Sequence, residues 1–162
     1  MKLKRFVFGL LALVGAGVLI ACTPSTKTAD YQRIVEGQLD IRNHFEYQGD
    51  KITFMETTTT IIYSAYGLDG PEDAEEQMLA QGSANWDGVE GITHEVDYQE
   101  DRLIETTSID MKKVDLATLN ELLPIETEDG KIPEYVSSSM TKENFQDQGY
   151  TEVKDGKFKE LE

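Results

Sequence analysis

The stretch LDIRNHFEYQGDKITFMETTTTII, from Leu39 to Ile62, decides the fold. Its first half alternates. Leu39, Ile41, Phe45 and Tyr47 fall on one side of an extended chain and Asp40, Arg42, His44 and Glu46 on the other, with Asn43 interrupting the apolar side. Gly49 and Asp50 then supply a two-residue hairpin turn, since glycine accepts the positive φ such a turn requires. Lys51–Ile62 returns as a long strand rich in β-branched residues, whose stiff χ1 angles suit a pleated surface.

Working outward, a second hairpin follows the same grammar. ITHEVDYQ starts at Ile92, Glu100 and Asp101 turn, and RLIETTSIDM returns. YQGDKI at Tyr47–Ile52 reappears as YQEDRL at Tyr98–Leu103, each soon followed by ETT. This reads either as a faint internal repeat or as two ordinary turns built from one small vocabulary. Between the hairpins a helix is expected from Pro71: proline fits a first helical position, and Glu72, Asp73, Glu75 and Glu76 lie where the helix dipole favours negative charge. Ala74, Met78, Gly82 and Trp86 fall four apart, with Leu79 beside them, as a narrow apolar stripe. Asp115 caps a second helix, LATLNELL, with Val114 packing on Leu119 and Pro124 ending it. A third is expected to be capped by Thr141, with Met140 packing on Phe145 and Gly149 as the stop, before a short last strand in YTEV. The expected class is α+β: a two-layer α/β sandwich whose antiparallel sheet comes from two hairpins, with helices packed on one face.

The N-terminus has a different character. Lys2, Lys4 and Arg5 precede FVFGLLALVGAGVLIA, an apolar run from Phe6 to Ala21 that suits the core of a signal peptide and falls short of a comfortable membrane span. Leu19, Ile20 and Ala21 followed by Cys22 resemble the lipobox of bacterial lipoproteins. That resemblance implies acylation of the Cys22 sulfur and cleavage just before it, leaving two acyl chains as a stable anchor at about 0.8 kcal/mol per buried CH₂. Cys22 is the only cysteine, so no disulfide forms within the chain. The competing reading is an uncleaved signal anchor with an incidental thiol. Residues 1–21 thus read as the lipoprotein signal peptide, 22–36 as the acylated N-terminus and a flexible linker, and 37–158 as the domain. The linker assignment rests on TPSTKTAD, which has little to bury.

Charge excludes some partners. The chain of 162 residues has 15 basic and 31 acidic side chains, a net −16. Three of the bases precede Cys22 and no acid does, so loss of the leader leaves a still more acidic body. Such a surface repels phosphate backbones, which argues against nucleic acid, and repels anionic headgroups, so attachment to a membrane has to come from lipid.

Taken in order, GDKITFMETT, AYGLDGPEDAEE, GVEGITHEVDYQEDRLIETTSID, KVDLATLNELL and FQDQGYTEV resemble the YehR-like lipoproteins, a bacterial family without an assigned function. The similarity runs from about Asp50 to Val153. It implies the two-layer sandwich, agrees with the lipobox, and carries over no catalytic or ligand-binding residues.

Candidate chemistry is sparse. His44 sits on the polar side of its strand, whereas His94 shares parity with Ile92, Val96 and Tyr98 and reads as a partly buried, hydrogen-bonded ring. A metal site would need both to converge with a carboxylate, which their spacing does not demand. GPEDAEE and ETEDGK lack the alternating ligands of a calcium loop. Thr57–Thr60 and Ser137–Ser139 offer hydroxyls without a nucleophile motif. Trp86 reads as a lid on the core at a helix end. The function expected is a lipid-anchored extracytoplasmic lipoprotein on the cell membrane: a non-catalytic binding or accessory module, without cofactor or metal, for a protein or small-molecule ligand. The alternative is a metal-dependent or hydrolytic envelope enzyme using His44 and His94 with nearby carboxylates.

Overall fold

A computed structural model describes residues 25–125 and 131–161. Six antiparallel strands form one open sheet in the order β4-β5-β3-β2-β1-β6. The central pair is the hairpin of β2 (Leu39–Gln48) and β3 (Lys51–Ile62), closed by a turn with Gly49 at φ 62. On one side β1 (Lys27–Val35) pairs with β2 along its whole length, and β6 (Thr151–Val153) adds a short outer edge. On the other side β5 (Arg102–Asp110) lies against β3 and carries β4 (Ile92–Tyr98).

β1 corrects the expected linker. Its sequence has little apolar alternation, yet residues 27–35 form a strand, because β2 offers a free edge and nine successive register partners. Residues 27–35 of the expected 22–36 linker are therefore strand, and the sheet contains a third hairpin, β1–β2, beyond the two expected.

Helices cover one face only, as the sequence predicts. Register aligns Ala29, Phe45, Met55, Ile109 and Ile92 in one row of that face. α4 (Ser138–Asp147) packs Phe145 over Ala29, Tyr31, Phe45 and Ile52. α3 (Leu116–Leu122) seats Leu119 beside Val114 and Ile109; Asp115 caps it by accepting the Thr118 N–H at 2.9 Å, which holds that carboxyl below its usual range. A single turn, α1 (Tyr63–Tyr66), and α2 (Pro71–Ala80) cover the far end around Tyr63, Ala74 and Leu103.

Two helix details differ from expectation. α4 is capped by Ser137, not Thr141, and Met140 is 55% exposed, away from Phe145. The cause is tertiary. Across the β2–β3 turn, Asp50 accepts hydrogen bonds from the Ser137 hydroxyl (2.7 Å), the Ser138 hydroxyl (3.1 Å) and the Ser139 N–H (2.9 Å), starting the helix four residues early. α2 stops at Ala80, and Trp86 belongs to a separate 3-10 turn, Ser83–Trp86, entered through Gly82 at φ 88.

Candidate functional site

The helix-covered face is unevenly sealed. β3 runs off the sheet at Ile62 into α1, which Gly67 ends in the left-handed conformation at φ 70. The chain then turns back into α2 at Pro71. Ala74 presses α2 onto Tyr63 and Leu103, its small side chain allowing close approach. Beyond that contact α2 and the α1 turn leave a half-open cleft of about 560 Å³. Ile61 and Leu103 line it from the sheet and Tyr66 and Leu68 from the α1 turn; α2 contributes Ala74 and Met78. Asp73, Gln77 and Gln81, spaced four apart, form a polar edge.

Chemically the cleft can bury an apolar body and orient it through one carboxylate and two amides. Among the described residues no histidine, cysteine, serine or lysine lines it. Asp73 is tied to the loop by accepting the Asp69 N–H at 3.1 Å. Tyr63, packed behind the cleft, keeps its hydroxyl buried without a hydrogen-bond partner among the described residues; burial, and then Asp101 and Asp97, push its pKa above the ordinary value.

The histidines are not brought together. Register pairs Asn43 with Thr57 on the helix-covered face and His44 with Glu56 on the opposite one, while His94 pairs with Thr107 on the covered face. The sheet therefore separates His44 from His94. His44 Nδ1 lies 2.7 Å from Asp30. His94, with a side chain only 5% exposed, is flanked by Glu105 at Nε2 (2.9 Å) and Asp87 at Nδ1 (3.4 Å). The two carboxylates sit at opposite ring nitrogens, so they do not converge on one cation. Among the described residues no three His, Cys, Asp or Glu side chains gather to hold a metal ion.

The hydroxyl runs have structural employment. Ser137–Ser139 hold Asp50 and bring its carboxyl down to about 2, and the Thr57 hydroxyl donates to Asn43 at 2.8 Å. Trp86 packs over Ile109, Val114 and Leu119, as a core lid should. The lipobox residues Leu19, Ile20 and Ala21, Cys22, and the acidic stretch 126–130 lie outside the described residues. Among those described, no helix is long and apolar enough to cross a membrane.

Sequence reasoning singled out Ala74 and Met78 of the cleft as part of a stripe, but not Ile61, Tyr66, Leu68, Gln77, Gln81 or Leu103. The available signal was the narrowness of that stripe: a helix with so little apolar surface leaves part of its sheet uncovered.

A family described as a protein of unknown function, DUF1307, matches residues 27–151. The chain belongs to the DUF1307 family. The match begins with β1, which makes that strand part of the DUF1307 domain. An uncharacterized lipoprotein of Listeria monocytogenes is 29% identical over 151 residues, covering 93% of this chain and 97% of the relative. The uncharacterized lipoprotein YehR of Escherichia coli is 27% identical over 128 residues, covering 75% and 82%. The solution structure of E. coli YehR superposes with a TM-score of 0.67 at 23% identity, covering 83% of this chain and 95% of YehR. A Streptococcus pneumoniae protein shares the fold at a TM-score of 0.54 and 14% identity, covering 94% and 98%. The resemblance to YehR-like lipoproteins is thereby borne out. The DUF1307 relatives are lipoproteins by name, consistent with a membrane-anchored location.

Proposed function

We propose that this DUF1307 protein is a lipid-anchored, non-catalytic binding module on the extracytoplasmic face of the cell membrane, tethered through Cys22 and using the α2 cleft to take up its ligand. The observation that carries the binding role is the composition of the cleft: apolar walls and polar surface in about equal share, with no nucleophile paired with a base among the described lining residues. The ligand that fits has an apolar body and a hydrogen-bonding margin. The LIAC lipobox and the lipoprotein relatives support the location.

Each half has its own test. Metabolic labelling with a clickable fatty acid should mark the wild-type chain and not Cys22→Ala, which should accumulate as uncleaved precursor; label retained on the variant sinks the anchor. For the cleft, Nile red serves as a neutral apolar probe. Its fluorescence should rise on binding the protein and fall on introducing Met78→Glu, which places a charge on the apolar wall. Unchanged fluorescence in a folded Met78→Glu protein removes the cleft as the binding site.

A further inference from the structure

The uncovered face of the sheet holds a second arrangement, independent of the cleft. Gln32 and Arg42 are register partners on β1 and β2, and Asp40 lies one step away on the same face. The chain beyond β6 turns back across them. Gln32 donates from Nε2 to the Lys159 carbonyl at 2.8 Å and accepts the Lys159 N–H at 2.9 Å, so one side-chain amide satisfies both backbone groups of one residue. Arg42 adds a second donor to the Lys159 carbonyl at 3.1 Å, and its guanidinium lies 5.1 Å from the centre of the Phe158 ring. Glu160 stands 3.6 Å from the same guanidinium. Asp40 fixes both readers, accepting from Gln32 Nε2 at 2.8 Å and from Arg42 Nε at 2.7 Å. With the tail in place Gln32 and Asp40 are 6% and 2% exposed, and Asp40 ties Gln32 and Arg42 together.

Recognition of this kind reads backbone, as a strand reads its neighbour, and asks for only one side chain, an aromatic beneath the arginine. When the tail leaves, Asp40 still accepts from Gln32 Nε2 and Arg42 Nε, and Gln32 Oε1, having given up the Lys159 N–H, is open to water or to another backbone N–H.

We infer that Gln32, Asp40 and Arg42 form a peptide-binding site whose resident ligand is the chain's own Phe158–Glu160, and which takes an extended, aromatic-bearing segment of a partner polypeptide when that tail is displaced. The resident shows the partner's chemistry. Phe158 supplies the ring against Arg42, Lys159 offers its backbone carbonyl and N–H to Gln32, and Glu160 places a carboxylate near the guanidinium.

The test uses the full-length protein in detergent and a blocked peptide of residues Lys157–Leu161, with the NMR signal of the Gln32 side-chain amide as readout. Lys159→Pro removes the N–H that Gln32 accepts and unseats the tail. The Gln32 signal should move in that variant. Added peptide should restore it at a concentration on the order of tenfold below that needed with the unaltered protein, whose own tail competes in cis. A peptide carrying proline at the Lys159 position should have no effect. Arg42→Lys in the Lys159→Pro background should weaken binding several-fold, because lysine lacks the planar fork and the stacking. In a Gln32→Leu, Lys159→Pro double variant, peptide-induced shifts in the backbone amides of β1 and β2 should vanish. Failure of the peptide to bind the Lys159→Pro protein, equal binding with and without the tail seated, or undiminished binding by either arginine or glutamine variant each overturns the proposal.

Discussion

The two ends of the helix-covered face use the same parts differently. At the β2–β3 turn, aromatic rings interlock: Tyr31 and Phe45 stack at 5.8 Å, Phe145 meets both edge-on, and Tyr150 stacks on Phe145 at 4.8 Å. The helix there is clamped at its start by Asp50, with Ser137 as its cap. At the α1 end, the helix starts at Gly70 with no side-chain cap, touches the sheet through Ala74, and leaves a cleft beside it. Full packing at one end supplies stability, which lets the other end stay partly empty.

Breaking the sealed end should cost the most. Phe45 is fully buried, and Phe45→Ala should lower the unfolding free energy by about 3–5 kcal/mol in urea titration. Asp50→Asn comes next: amide hydrogen exchange in α4 should quicken and the melting temperature fall. This loss depends on pH in a defined sense. The folded carboxyl sits at about 2 against an ordinary 3.8, so its contribution is present above the ordinary value and disappears as pH falls toward about 2. Wild type and Asp50→Asn should therefore converge in melting temperature across that window; parallel curves would refute the clamp. At the open end, Met78→Ala should cost about 1 kcal/mol or less, because the side chain is only partly buried beside an existing void, yet it should weaken Nile red binding. The smallest change is Gly70→Ser. The backbone there is extended, nothing lies within 4 Å of an added Cβ, and a serine cap should stabilise α2 by a few tenths of a kcal/mol.

The sequence exposes local rules better than distant ones. Gly49 in its turn, Pro71 at the start of α2, Asp115 as a cap and the alternation of Leu39–Tyr47 all act over a few residues, and each was legible. β1 was not, because only Ala29 and Tyr31 carry it into the core and the β2 edge that it completes comes later in the sequence. The start of α4 was misplaced because the deciding carboxylate lies 87 residues away in sequence. The cleft was invisible for the same reason: Ile61, Leu68, Ala74 and Leu103 come from separate segments, and only the fold makes them neighbours. Strand parity, itself a local rule, put His94 on the covered face, but it understated the burial and the pairing: the side chain is 5% exposed and meets a carboxylate at each ring nitrogen.

The early start of β1 has a geometric consequence for the proposed anchor. Only four residues separate Cys22 from Lys27, a leash of at most about 18 Å even when taut. Lys27 pairs with Tyr47, close to the Gly49–Asp50 turn, whereas the α2 cleft lies at the other end of β3, roughly 35–40 Å further along a strand of twelve residues. On the proposed anchor, so short a leash keeps the Lys27 end of the sheet within about 18 Å of the bilayer surface, with the cleft at the opposite end of β3.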